Sequence, residues 1–432
     1  MAEAGAPARA GGGEARALAG RSLGIVALQA GNSLSQFAIT WLLVRQIGVD
    51  GFGLYSVYFI VAINAVAVLA GLVLQPLNSL ASQYSPERQA GYVRAAGAFV
   101  WTLLAGIGVL AVIAWMAAPA LGFDPAPVLA TLALIAGMAV GEFWRRLRFF
   151  AENVRAVAIY DIARYVLLAL VFLLLPQRMP EADASTYAVA IAATYFLALL
   201  PTFAVPRGLR DRSDSGPQTR VRLTRLLRSG KWLAGVAFLK FLDGGAVMLI
   251  AFALLGAYEA GLIRIAQSIV GLTTPAIQTL EHVLPRLLGT RIREIGLAAA
   301  LRGFSRFALA ILAAFTLLYA SVTLAAPFIL ALMGVEQTQL GMFLVAGFGL
   351  FYLLTVAMIL VEFCLRASDR ARTITALLLA GAAVVLIGSW PAISAAGALG
   401  AIAVMVMARL VSVMLGTRQI RGLAAAHREI AD

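Results

Sequence analysis

Two pairs of opposite charges and one lone guanidinium stand inside runs that are otherwise Leu, Val, Ile and Ala. Asp161 and Arg164 are three residues apart, as are Lys240 and Asp243, and Arg264 follows in the next apolar run. Spacing of i, i+3 places both members of a pair on one helix face, where they can neutralise each other. Arg264 has no acid at helical spacing beyond Glu259. It needs either a partner on another helix or an anionic ligand. Ionisable side chains in apolar spans are costly and are functional candidates by default. Glu142, Glu281, Glu362 and Arg306 lie nearer the ends of their runs, where long side chains snorkel to the interface.

A second pattern is neutral and polar. Gln29, Asn32, Ser33 and Gln36 share one helix face of the first apolar run, and Asn64, Gln75 and Asn78 follow more loosely along the second. Such a stripe either bonds neighbouring helices, at about 0.6 kcal/mol per contact, or lines a wet lumen able to receive sugar hydroxyls. Other chemistry is missing. The stretch "RSGKWL" around Lys231 lacks the glycine spacing and hydroxyl of a phosphate loop. His282 and His427 are the only histidines, with no Cys or acid at metal-ligand spacing. Neither an enzyme, nor a metal site, nor a cofactor is expected.

The elements that must hold these residues are membrane spans. The chain has 432 residues, of which 62% are hydrophobic and 13% charged; its mean hydropathy is +0.90. Soluble domains hold about 45–50% apolar and about 25% charged residues, so lipid must be the solvent here. The net charge of +13 is then topology-setting loop charge rather than a nucleic-acid footprint. Lone Cys364 excludes an intramolecular disulfide. A helical span needs about 20 apolar residues. Twelve are expected, near 23–47, 53–80, 95–118, 126–144, 157–176, 185–205, 232–255, 260–284, 304–326, 339–365, 373–390 and 394–416. Arg and Lys fall in alternate loops, which puts both termini in the cytoplasm.

Two short stretches divide the chain into halves. "GVDGFGLYS" begins at Gly48 and "GAYEAGLIR" at Gly256. Gly48, Gly53 and Leu54 align with Gly256, Gly261 and Leu262 at a shift of 208 (256 − 48). Each copy sits at the turn between the first and second helices of a six-helix half, where glycine accepts positive φ. The expected fold is therefore an all-α polytopic membrane protein of about twelve helices. Its two six-helix halves are related by a pseudo-two-fold along the membrane normal, with the substrate path between them. The halves are 22–206 and 232–416; 1–21 is expected as a disordered cytoplasmic tail and 417–432 as a second tail. Between the halves, 207–231 is a basic cytoplasmic linker whose later part reads either as a basic amphipathic helix on anionic lipid or as topology-setting charge.

The segment from Ala27 to Tyr84 resembles bacterial polysaccharide flippases of the multidrug/oligosaccharidyl-lipid/polysaccharide exporter superfamily. The likeness lies in the first helix leading to Arg45, then "IGVDGFGLYS", then a second helix ending in Gln75-Pro76. Over the remaining chain it is one of architecture. The resemblance implies a flippase that moves a polyprenyl-pyrophosphate-linked oligosaccharide across the bacterial inner membrane by alternating access, for O-antigen-type surface polysaccharide. It also implies membrane lipids and a polysaccharide polymerase or glycosyltransferase as partners, and a cationic cavity for the pyrophosphate. On that reading Arg264, Lys240 and Arg164 face the pyrophosphate, and Asn32, Gln36 and Asn64 meet sugar. Asp243 or Asp161 either tunes those cations or carries a coupling proton.

Three alternatives stand beside it. An organic-cation exporter of the same superfamily needs a cavity acid without a compensating base, whereas the acids here come paired. A lipid-linked peptidoglycan precursor flippase typically has two further spans. A membrane glycosyl transferase or ligase calls for a long outer loop, and the outer loops here are short.

Overall fold

The computed structural model describes residues 12–77, 85–151, 153–202, 216–336, 338–368 and 370–429, and what it describes is helical throughout. In chain order the helices are α1 (Gly12–Leu69), α2 (Pro86–Leu121), α3 (Ala126–Phe150), α4 (Val154–Arg178), α5 (Ala184–Leu197) and α6 (Gly216–Leu255). They continue with α7 (Ala257–Gly271), α8 (Thr274–Ile295), α9 (Leu297–Met333), α10 (Thr338–Ala367) and α11 (Ala371–Glu429). Eight helices among the described residues are long and apolar enough to cross a membrane. This is an all-helical polytopic membrane fold. Two of the eight, Ala30–Leu77 and Arg372–Gly422, run for 48 and 51 residues, about twice the length one span needs.

Both long helices are broken at a glycine. Gly48 interrupts α1 with φ 73° and ψ 178°, and Gly397 interrupts α11 with φ 57° and ψ −138°. Gly256, which separates α6 from α7, has φ 89° and ψ −174°. Gly48 and Gly256 thus hold nearly the same backbone conformation at the aligned points of the two short stretches, one that a Cβ would strain. Beyond Leu69 the chain continues as a π-helical turn, Ala70–Leu74, before the helix resumes.

Several boundaries differ from the expected ones. Helix starts at Gly12 and continues to Glu429, because segments rich in Ala, Arg, Leu and Glu favour helix even outside the apolar core. The expected eighth span is cut at Leu272–Thr273, where Pro275 opens α8. The second half of the basic linker is the start of α6, continuous with the span that follows; 203–215 lie outside the described residues.

Helices pack extensively within each part of the chain, and α1 joins the first part to the second. Helix α1 packs on α7 and α6, α3 on α5, and α11 on α10 and α6. One large core runs through these helices, with Leu43, Phe52, Leu262, Ile265 and Ile269 fully enclosed. In contrast α2 and α9 turn most of their apolar surface outward, including Trp101, Met116, Leu324 and Phe328. In a membrane that surface meets lipid, which is as apolar as the core.

Candidate functional site

Arg264 stands on α7, two turns in from Gly256. Its guanidinium lies over the Phe59 ring of α1, 5.0 Å from the centroid, and donates to Gln267 Oε1 at 2.6 Å. Tyr55 of α1 and Tyr352 of α10 also lie beside it. Among the described residues no carboxylate forms an ion pair with Arg264. Glu259 does not reach it; its carboxylate accepts from the Ala398 amide at 3.1 Å, capping the helix that starts after Gly397. The arrangement is a partly buried guanidinium walled by aromatics from both parts of the chain. Among the described residues only one side-chain acceptor uses its donors.

The two charge pairs are wired differently from their spacing. Asp161 on α4 meets Arg145 of α3, with Nη2 3.4 Å from Oδ2. Arg164, also almost wholly buried, donates to Asn32 Oδ1 of α1 at 3.0 Å. It lies between the rings of Tyr165 and Tyr195, at 5.2 and 4.9 Å. Asp243 on α6 pairs with Arg409 of α11, whose guanidinium stands 5.3 Å from the Phe351 ring. Both acids therefore find their closest cation on another helix, while Arg164 and Lys240 act on them at longer range. Helical spacing shows only same-helix neighbours, which is why Arg145 and Arg409 were not among the expected site residues. For Arg409 a signal existed, since it is the one charged residue between 394 and 416.

The neutral residues divide between these places. Asn32 is engaged by Arg164. Gln36 is partly buried one turn along, its carbonyl accepting from Thr40. Asn64 donates to the Ile60 carbonyl at 2.7 Å and faces Gly245 of α6, where an added Cβ would come within 3.0 Å of its amide nitrogen. Lys240 is exposed and has no ion pair among the described residues. Of the end-of-span acids, Glu142 pairs with Arg146 and Glu362 with Arg366, each one helical turn on. No cluster of His, Cys, Asp or Glu among the described residues could hold a metal ion.

No protein-family model matches the chain, and no curated protein matches it. Solved structures do. The inward-facing conformation of a multidrug resistance MATE family transporter of the MOP superfamily superposes with a TM-score of 0.69 at 14% identity, covering 95% of this chain and 100% of that one. The chain has the MATE fold. An outward-facing conformation of a multidrug resistance MATE transporter matches with a TM-score of 0.55 at 15% identity, over 94% of this chain and 95% of that one. A MOP superfamily transporter from Pyrococcus furiosus, described by the reverse polarity of its binding pocket and a different function, matches at 0.54 and 14% identity, over 94% and 95%. These MATE-fold neighbours are transporters rather than enzymes. The chain superposes better on the inward-facing neighbour than on the outward-facing one, at TM-scores of 0.69 and 0.55.

Proposed function

We propose that this protein is a twelve-span transporter in two six-helix halves that flips a polyprenyl-pyrophosphate-linked oligosaccharide by alternating access. The observation that carries the reading is Arg264: a guanidinium between the halves, walled by Tyr55, Phe59 and Tyr352, with no carboxylate paired to it among the described residues. Dividing α1 at Gly48 and α11 at Gly397 turns eight long helices into ten. Counting α5 as one span and α7 with α8 as another brings the number to twelve.

A pyrophosphate entering such a site meets fixed positive charge where the dielectric is low, so the attraction is far larger than in water. Arg264 is the primary contact, Lys240 the exposed second cation, and Arg164 a third that must first leave Asn32 and its tyrosines. Gln36 and Asn64 meet sugar, together with Asn32 once it is released. Asp161 and Asp243 hold the electrostatic balance of the empty protein or take a coupling proton. The bacterial inner membrane, cytoplasmic termini and polysaccharide-assembly partners complete this reading.

Export of organic cations is the second reading; two of the neighbours are described as multidrug resistance transporters. It needs an acid free to meet the drug. Asp161 and Asp243 are each in contact with an arginine, and a MOP-superfamily neighbour described by reversed pocket polarity provides a precedent for a pocket of the other sign.

Thermal unfolding of the purified protein with two ligands separates the readings. A ligand at about 100 times its dissociation constant stabilises by about 2.7 kcal/mol. A short-chain polyprenyl-pyrophosphate sugar is expected to raise the melting temperature, and Arg264→Ala to abolish the rise. A rise with a lipophilic cation alone would replace the first reading by the second.

A further inference from the structure

The basic stretch that opens α6 has two distinct faces. Leu223, Leu226 and Leu227 pack with Leu72, Val73, Leu74, Tyr92 and Val93 in a separate core cluster at the end of the bundle remote from Gly48. Gly230 lies against the π turn so closely that a Cβ would fall 1.9 Å from the Leu72 carbonyl oxygen. The opposite face is exposed and carries Arg220, Thr224, Arg225, Arg228 and Lys231. An open concavity of about 460 Å³ is lined by Arg220, Val221, Thr224, Arg225 and Arg228.

The next residue fixes where this face lies relative to lipid. Trp232 is 73% exposed, as an interfacial aromatic would be, and Lys231 Nζ stands 5.6 Å from its ring centroid. Beyond it Leu233 and Phe238 turn apolar surface outward. At about 1.5 Å per residue, Arg228 and Lys231 fall within about 6 Å of Trp232 along the helix. That is the depth of the headgroup layer, about 5–7 Å on each side of the hydrocarbon. We propose that the exposed face of α6 between Arg228 and Trp232 binds the headgroups of anionic phospholipids in the leaflet that Trp232 marks; Arg220, about 18 Å from Trp232 along the helix, lies beyond that layer. The helix does not lie flat on the membrane as an amphipathic segment would, because its apolar face is already taken by the protein. It stands at the boundary and presents mainly charge, with Val221 and Thr224 among the basic side chains. Because the same segment clasps the π turn of the first half, lipid bound here steadies the contact between the two parts of the chain at this end.

The test uses the full chain in dodecyl maltoside micelles doped with either phosphatidylglycerol or phosphatidylcholine. Phosphatidylglycerol is expected to raise the melting temperature in proportion to its mole fraction, and phosphatidylcholine to leave it unchanged. The shift should disappear near 1 M salt, where the Debye length is about 3 Å, and in the double variant Arg228→Gln, Lys231→Gln. Arg228→Lys should keep it, as should Arg264→Ala, so that this site and the transport site fail independently. A shift that survives high salt or the double Gln variant would overturn the proposal. So would an equal shift from inorganic phosphate alone, which would assign the face to free anions instead.

Discussion

Gly53 and Gly261 occupy matching places on either side of one contact. A Cβ on Gly53 would lie 1.8 Å from the carbonyl oxygen of Ala257, and one on Gly261 would lie 2.3 Å from that of Val49. The contacts exchange under the same shift, since 257 − 49 and 261 − 53 are both 208. Helices α1 and α7 therefore meet by a nearly two-fold arrangement at their Gly48 and Gly256 ends, backbone against backbone. Gly53→Ala and Gly261→Ala should each destabilise the protein by about 1–3 kcal/mol, the cost of overpacking a filled contact. Gly106, with open space around its Cβ position, is the control. Denaturant melts of the three variants in one detergent check the difference; equal stability would remove the contact from the account.

The buried pair Asp243–Arg409 is the strongest candidate for a contact that cannot be halved. Its side chains are 7% and 13% exposed, and Asp243 Oδ1 and Arg409 Nε have no hydrogen-bond partner among the described residues. Removing one partner of a buried pair typically costs about 3–5 kcal/mol, whereas replacing both by apolar groups is often neutral. Asp243→Leu or Arg409→Met alone should therefore unfold far more easily than the native chain, and the double variant should recover most of the loss. A double-mutant cycle on unfolding free energies measures this, and additive losses would contradict it.

Much of the fold is legible in the sequence. Apolar length marks the helices, and Gly48 and Gly256 of the two aligned stretches share one backbone conformation. The same stretches carry a second message that spacing does not show. Glycine at 48 and 256 serves the turn, but at 53 and 261 it serves the approach of two helices, which no local spacing reveals. Charge pairing failed for the same reason: Asp161 with Arg164, and Asp243 with Lys240, share a helix face, yet their closest ionic partners come from α3 and α11. Patterns along a chain report neighbours within a helix, while buried charges select partners across them.

Asp183 predicts an acid-sensitive cap. It precedes α5 and accepts from the Thr186 amide at 2.9 Å and the Thr186 hydroxyl at 2.7 Å. Partial burial pushes its carboxyl up, but the Thr186 bonds outweigh it and hold the group below the ordinary carboxylate value. Its stabilisation is therefore fully present above that ordinary value, about 3.9, and is lost as pH falls through the lower folded value. Asp183→Ala should cost about 1 kcal/mol at neutral pH. Asp183→Asn keeps an acceptor that does not titrate in this range, so its melting temperature should fall less steeply below pH 4 than that of the native chain. Parallel acid profiles of the two proteins decide it.

Arg164 and Arg264 are both guanidiniums among aromatic rings, and their surroundings assign them different work. Arg164 is 3% exposed, donates to Asn32 Oδ1 and is flanked by two tyrosines, so in the empty protein it holds α4 to α1 and α5, with its Nε unpartnered among the described residues. Among the described residues Arg264 has one side-chain acceptor, on its own helix, which leaves donors for an incoming anion. Lysine keeps charge but loses the planar fork and the stacking. Arg164→Lys should thus lower unfolding stability, and Tyr195→Leu should do so by about 0.5–2 kcal/mol while Tyr195→Phe, which keeps the ring, does not. Arg264→Lys should leave stability nearly unchanged and weaken binding of a pyrophosphate lipid, because bidentate contact is lost. Measuring melting temperature and ligand shift on the same four variants separates the roles. If Arg164→Lys changed only the ligand shift, Arg164 would be a binding residue and not a packing one; if Arg264→Lys changed only stability, Arg264 would leave the binding site.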